Sequence, residues 1–235
     1  PRFRVDDVIR DKNNILWVAT QKGLLQSDDD NNFKHISLFE GDTGQVFVQK
    51  LLVDESRNRL WIGTRGNGLF YIENGEVVRY QTITANEEIA TLCQDAFNDI
   101  WIGTRTNGIF RITHNSFNQY TENDGISSNL IYILLPDSYS NLWIGTNLGL
   151  DKLNLQTLRQ GKFELRHYGS DDGLLDLETN LNGAIEDNKG FLWFATNGGL
   201  LRYDHKYDIS NRIPPKVNFL SMKLHSRETN WNDFA

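Results

Sequence analysis

Apolar residues in this chain arrive in short runs, each closed within a few positions by Asn, Gly, Asp or Ser. No segment sustains the i, i+3, i+4 spacing of an amphipathic helix, so the runs predict strands. One run recurs: Ile15–Thr20, Arg59–Thr64, Asp99–Thr104, Asn141–Thr146 and Phe191–Thr196 share the order aliphatic, Trp, bulky apolar, small, Thr. The tryptophans are Trp17, Trp61, Trp101, Trp143 and Trp193, at intervals of 44, 40, 42 and 50 residues. Side chains alternate along a strand, so Trp and the small residue two positions on share a face. The residues flanking Trp share the other face. Both faces are apolar, and the strand calls for cover on both sides.

Each recurrence sits in the same frame. An apolar run ending at Asp11, Asp54, Asp95, Asp137 or Asp187 precedes it and predicts an inner strand, A. A polar turn follows the Asp, whose carboxylate suits the turn's N–H groups. The Trp run is strand B. Its small residues Ala19, Gly63, Gly103, Gly145 and Ala195 leave room beside an indole. After the Thr, a Gly-bearing turn leads to Leu24, Leu69, Ile109, Leu150 or Leu200 and strand C. Asn-Gly in such a turn tolerates the positive φ of a tight hairpin. Outer strands D are expected around 33–36, 77–80, 117–120 and 163–168, with none evident in the last repeat. A repeat of about 40–45 residues holding four strands is the period of a propeller blade. The expected fold is an all-β propeller of four-stranded antiparallel blades, with five repeats visible. Five blades can close on themselves, since rings of about 4–8 blades occur.

Charge and composition bear on function more than on fold. The chain carries 24 basic and 31 acidic residues, a formal net charge of −7. Nucleic acid and anionic membrane surfaces require a concentrated basic face, so neither is an expected partner. The single cysteine, Cys93, lies in an apolar run and reads as a buried, inert thiol. No apolar run approaches the roughly 20 residues of a membrane helix, and no signal-peptide pattern opens the chain. His35, His114, His167, His205 and His225 lack zinc-ligand spacing. The acidic run 28–32 lacks the Gly and closing Glu of a calcium loop. No nucleophile elbow or P-loop is present. No metal, cofactor or catalytic residue is expected, although turn carboxylates leave glycosidase chemistry open.

The repeats Leu60-Trp61-Ile62-Gly63-Thr64 and Leu142-Trp143-Ile144-Gly145-Thr146, each followed by Gly and Leu, resemble the two-component regulator propeller repeat. The connection Asp124-Gly125-Ile126-Ser127-Ser128-Asn129 is similar to that family's linker before strand A. The resemblance covers about residues 5–205. It implies the periplasmic sensor region of a membrane-bound hybrid histidine kinase, many of which respond to glycan fragments. It also implies a small carbohydrate ligand, a dimer in the parent sensor, attachment to the membrane only through that parent, and no catalytic domain in this chain. Family propellers usually hold about seven repeats, so five fit either a closed five-blade ring or part of a seven-bladed one. Residues 213–224 are similar to the start of the β-sandwich domain that often follows. The implied layout is blades over 1–212, then a linker and the start of that domain over 213–235. A protein-binding scaffold and a lyase-type propeller enzyme are the alternative readings.

Propeller geometry brings the B–C turns and D–A connections to one face. That face is expected to carry Arg65, Asn67, Arg105, Asn107, Asn129, Asn147, Asn180, Asn182 and Asn197, directional polar groups suited to a sugar. Arg65 and Arg105 hold equivalent places in adjacent blades and together could grip a carboxylate or sulfate. Trp231, outside the repeats, is either an exposed aromatic or the core of a following domain.

Overall fold

The computed structural model describes residues 4–28, 32–174, 176, 178–208, 222–224 and 227–229. Two compact units divide the chain, residues 1–203 and 204–235. The first is the repeat array. Its first sheet runs β1 (Val5–Arg10), β2 (Leu16–Thr20), β3 (Gly23–Ser27) and β4 (Phe33–Ile36). The second is β5 (Val48–Asp54), β6 (Arg59–Thr64), β7 (Leu69–Glu73) and β8 (Glu76–Arg79). The third is β9 (Ile89–Gln94), β10 (Ile100–Thr104), β11 (Ile109–Ile112) and β12 (Phe117–Tyr120). The fourth is β13 (Ile131–Pro136), β14 (Asn141–Thr146), β15 (Gly149–Asn154) and β16 (Leu165–Tyr168). The fifth has three strands, β17 (Thr179–Glu186), β18 (Leu192–Thr196) and β19 (Gly199–Tyr203). All pairings within these sheets are antiparallel between consecutive strands.

The inner strands β1, β5, β9, β13 and β17 pack side by side in chain order. Among the described residues no strand pairing joins the fifth sheet to the first, so the array is a run of five blade-like sheets without a demonstrated closure. The second unit contains a turn of 3-10 helix, His205–Tyr207, and a hairpin of β20 (Met222–Leu224) and β21 (Arg227–Thr229). The supposed start of a sandwich domain otherwise lies outside the described residues, as does Trp231.

Every repeat is pinned by one device. The Asp closing strand A turns one carboxylate oxygen to the A–B turn and the other to the indole. Asp95 accepts the N–H groups of Phe97 and Asp99 at 2.9 and 3.0 Å and the Trp101 indole N–H at 2.8 Å. The indole bond recurs at Trp17, Trp61, Trp143 and Trp193, at 2.9, 3.3, 2.8 and 2.8 Å. A second device closes strand B. Its Thr hydroxyl donates to the carbonyl of Gly23, Gly68, Gly108, Gly149 or Gly199, and in four repeats accepts a turn N–H.

The small residue two positions after Trp answers to a different neighbour than the indole. A Cβ on Gly103 would stand 2.6 Å from Thr91 Cγ2 and 2.7 Å from Ile131 Cγ2. On Gly63 it would meet Ile89, and on Gly145 it would meet Thr179 and Ile133. The constraint is side chains of the inner strands, from the next blade at all three glycines and from the blade itself at Gly103 and Gly145.

The apolar core lies between sheets. Trp61 and Leu69 of one blade pack with Ile100, Ile102 and Phe110 of the next, and the same relation holds at the other junctions. Trp61, Trp101 and Trp143 are fully buried. Cys93 is buried as well, and burial pushes its thiol pKa far up, which keeps it protonated. Among the described residues the helix-free expectation fails at three short 3-10 turns, Glu122–Asp124, Ser170–Asp172 and His205–Tyr207, and at one α-helical turn. Blade 4 inserts a single helical turn, α1 (Leu155–Arg159), between β15 and β16. Asn154 caps it by accepting the N–H groups of Gln156 and Thr157.

Candidate functional site

The B–C turns lie where the Thr hydroxyls fold them, and the D–A connections run beside them. Gly68 N–H donates to Glu87 O, and Gly108 N–H donates to Asn129 O, so each turn is tied to the connection leading into the following blade. Arg65 forms a bridge with Glu88 through the backbone. Its side chain also reaches Glu88, with Nε 3.0 Å from Oε1. Arg105 of the next blade approaches the same oxygen at 3.5 Å. Geometry at Arg105 Nε is poor, so this is an ion pair without a hydrogen bond. The carboxylate that both arginines approach in the structure is the chain's own Glu88.

The network continues along the face. The Arg105 guanidinium lies over the Tyr132 ring at 4.9 Å. Tyr132 Oη donates to Glu178 Oε1 at 2.9 Å. Burial first, and then Glu178, push the Tyr132 phenol above its ordinary value, and Arg105 opposes them. The other Glu178 oxygen accepts from Asn197 Nδ2 at 2.8 Å. Asn107 Nδ2 donates to Glu87 Oε2 at 2.7 Å. Three buried atoms here make no hydrogen bond within the protein: Glu87 Oε1, Arg105 Nε and Asn147 Oδ1. A buried polar atom without a partner costs about 1–3 kcal/mol, so three in one region call for an explanation.

The remaining predicted residues are mostly committed to the fold. Asn129 exchanges bonds with Glu122, accepting its N–H at 3.0 Å and donating its own N–H to Glu122 Oε1 at 2.8 Å. Asn67 gives its N–H to Thr64 and accepts Arg79 at its carbonyl. Neither Asn67 nor Asn107 has positive φ; that conformation belongs to the neighbouring glycines and to the A–B turn residues Asn14, Asn58, Asn98 and Ser140. Asn180 and Asn182 lie in a break of the β17 register between Thr179 and Ala184. Each inner strand has such a break beside this face, but the others are narrower. In β17 the looser segment lets Asn182, at φ 54°, reach Ala90 O of β9 at 3.3 Å. Blade 5 thereby touches blade 3.

Sequence reasoning missed the acidic half of the network, Glu87, Glu88 and Glu178, and also Tyr132. It also missed a cluster on blade 4. Asp151 accepts Ser127 N–H and Oγ–H at 2.7 and 2.8 Å, and its other oxygen lies 2.8 Å from His167 Nδ1. The order is Ser–Asp–His, with the carboxylate in the middle. Ser127 Oγ also lies 3.1 Å from Thr146 Oγ1. The arrangement fastens a connection to the face of the blade and has no base placed to take the serine proton. Among the described residues no group of three His, Cys, Asp or Glu side chains is arranged to hold a metal. No described helix is long and apolar enough to cross a membrane.

Residues 125–148 match the family model "Two component regulator propeller". A curated relative, Histidine kinase P4 of Formosa agariphila, is 27% identical over 187 residues, covering 75% of this chain and 13% of the relative. Among solved structures, the extracellular domain of BT3049 from B. thetaiotaomicron, assigned to a hybrid two component system, superposes with a TM-score of 0.76 at 19% identity. That match covers 97% of this chain and 32% of that one. This chain thus spans a small part of either relative. Virginiamycin B lyase from Staphylococcus aureus superposes with a TM-score of 0.63 at 14% identity, over 85% of this chain and 69% of the lyase. The last likeness corrects one expectation. A catalyst is built on the same fold, so the absence of a catalytic domain does not follow from propeller repeats. Residues 125–148 thus match the two-component-regulator propeller repeat, and the array around them has a propeller-type fold similar to that of the BT3049 extracellular domain.

Proposed function

We propose that the chain is the ligand-sensing, extracytoplasmic region of a two-component sensor, that it binds an oligosaccharide on the loop face, and that a histidine kinase elsewhere in the protein reads the result. The observation that carries the reading is the loop-face network, with its buried atoms that make no hydrogen bond within the protein. Arg65, Glu88, Arg105, Tyr132, Glu178 and Asn197 form a continuous row of polar groups across successive blades. Half-exposed ion pairs contribute only about 0–1 kcal/mol, so the row contributes little to folding. A sugar offers vicinal hydroxyls that both donate and accept, and it can satisfy Glu87 Oε1, Arg105 Nε and Asn147 Oδ1 without an added charge. Asn67, Asn107, Asn129, Asn180 and Asn182 frame the site, more by shaping its loops than by facing the ligand. The likeness to the BT3049 extracellular domain supports the location, and the relation to Histidine kinase P4 supports the output.

Signal transfer requires that the ligand prefer one arrangement of the sensor, and a dimer of the whole protein supplies two arrangements to choose between. Calorimetry of the intact sensor against neutral and acidic oligosaccharides tests the reading. At least one glycan is expected to bind, and Arg105→Ala is expected to weaken it about tenfold or more. A folded sensor that stays silent across the panel overturns the proposal.

A further inference from the structure

Asparagine followed by glycine occurs five times, at Asn67, Asn74, Asn107, Asn182 and Asn197. The pair is chemically vulnerable. Glycine has no side chain to shield its nitrogen from the asparagine amide carbon, and it lets the backbone swing the two into reach. Four of the five pairs are held. Gly68 is buried, and its N–H donates to Glu87 O at 3.0 Å. Gly108 is buried too, with its N–H on Asn129 O, while Asn107 Nδ2 donates to Glu87 Oε2 at 2.7 Å. Asn197 Nδ2 donates to Glu178 Oε2 at 2.8 Å, and Asn182 Nδ2 to Ala90 O at 3.3 Å. In each of the four, the nitrogen that would attack or the amide that would leave is tied to another segment of the chain.

Asn74-Gly75 has neither restraint. The pair is the two-residue turn between β7 and β8, with Glu73 opposite Glu76. Both residues are exposed, and their φ values of 51° and 83° are those of a tight hairpin turn. Among the described residues, neither the Asn74 amide nor the Gly75 N–H makes a hydrogen bond. A Cβ built on Gly75 would meet nothing within 4 Å, so the space around the glycine is open to water. Strand β8 is the outer edge of its sheet, and exposed tips and edges open locally at little cost.

We propose that Asn74 is a spontaneous modification site, at which the folded chain deamidates ahead of its other Asn-Gly pairs. The Gly75 nitrogen loses its proton to base and attacks Asn74 Cγ. The Cγ–Nδ2 bond breaks, Nδ2 leaves as ammonia, and a cyclic imide closes. Water then opens the ring at one of its two carbonyls. Attack at Cγ gives aspartate on a normal backbone. Attack at the main-chain carbonyl carbon leaves the chain running through Cβ and Cγ, as isoaspartate. That product lengthens the turn by one carbon, and the turn sets the register of the hairpin. Val77 and Val78 then lose their places opposite Ile72 and Tyr71. Ile72 and Val77 pack on the core between blades 1 and 2, so the outer strand of blade 2 loosens as the protein ages. The bonds that shape the loop face protect its amides from the same chemistry, and the C–D turn stands apart from the sugar reading.

The full chain is incubated at neutral and at mildly alkaline pH, folded in buffer or unfolded in urea, and each pair is followed by peptide mapping and mass spectrometry. In urea the five pairs are expected to react at similar rates. In the folded chain a hydrogen bond must first break at the other four, which slows each about fivefold, so Asn74 leads by about that factor or more. Its rate rises with pH, and isoaspartyl methyltransferase labels its peptide first. Hydrogen exchange of the aged protein should show residues 73–80 loosened. Asn74→Gly keeps a residue that tolerates positive φ and removes the amide, so its hairpin should age unchanged. Another pair leading in the folded chain, equal rates at all five, or an intact Asn74 while the urea-unfolded chain reacts would each overturn the assignment. The mapping needs no variant, so it decides the matter even if Asn74→Gly fails to fold.

Discussion

The carboxylate that ends each inner strand is the residue on which a blade turns. Asp95 holds three donors: two turn N–H groups and an indole N–H. Asp95→Ala strands them in a buried site, and at about 1–3 kcal/mol for each unpaired group the expected loss is about 3 kcal/mol or more. Urea denaturation followed by Trp fluorescence reads it directly, and a loss below about 1 kcal/mol would contradict the role. Asp54 makes the pH counterpart. Burial alone would raise its pKa, but bonds from Ser56, Arg57, Trp61 and Gln94 outweigh burial and hold it below the ordinary 3.8. Since the folded value is the lower one, the ionised group stabilises the fold above the unfolded pKa. That contribution fades as pH drops from about 4 through the folded value. Wild type is therefore expected to lose more stability than Asp54→Asn between pH 5 and pH 2 in acid titrations at fixed urea.

At the scale of elements, the period of the repeat was easier to read than what fills the spaces between repeats. The Trp runs, the closing Asp residues and the Gly turns all show in sequence, because each is a local device repeated in phase. The outer strands expected around 33–36, 77–80, 117–120 and 163–168 stand at Phe33–Ile36, Glu76–Arg79, Phe117–Tyr120 and Leu165–Tyr168. Helix α1 was not, because five residues cannot display a 3.6-residue period and its burial comes from a neighbouring blade. The paired arginines of the loop face were legible from equivalent positions, but their partner Glu88 was not. It comes from the connection between two blades and meets them only through folding. The Thr that ends strand B is a prediction at this scale. Thr104 donates to Gly108 O and accepts Asn107 N–H, so it sets the turn that carries Arg105 and Asn107. Thr104→Val keeps the shape and removes both bonds, at an expected cost of about 1–2 kcal/mol. Hydrogen exchange should show the damage concentrated in residues 104–109 and spare the turn of blade 1.

Across the array, the first and fifth described sheets each expose apolar side chains of a kind that the three between them bury. Leu24, Leu69 and Ile109 are fully buried and Leu150 is 3% exposed, because each faces a following blade; Leu200, their equivalent, is 64% exposed. Ile185 on the same sheet is 62% exposed, and at the other end Val8 is 51% exposed. Stacked repeats gain most of their stability from neighbour interfaces, so an uncovered face is both a weak point and an adhesive one. These two ends are complementary in kind, since every internal junction joins a Trp-bearing face to an aliphatic one. This 235-residue polypeptide on its own is therefore expected to associate end to end as its concentration rises. Leu200→Lys places a charge on the Trp-bearing end without touching a buried contact. Sedimentation velocity should then show the associated species depleted about tenfold, with circular dichroism and the urea midpoint unchanged. Association that persists in Leu200→Lys and in Ile185→Lys would place the adhesive surface elsewhere on the blades.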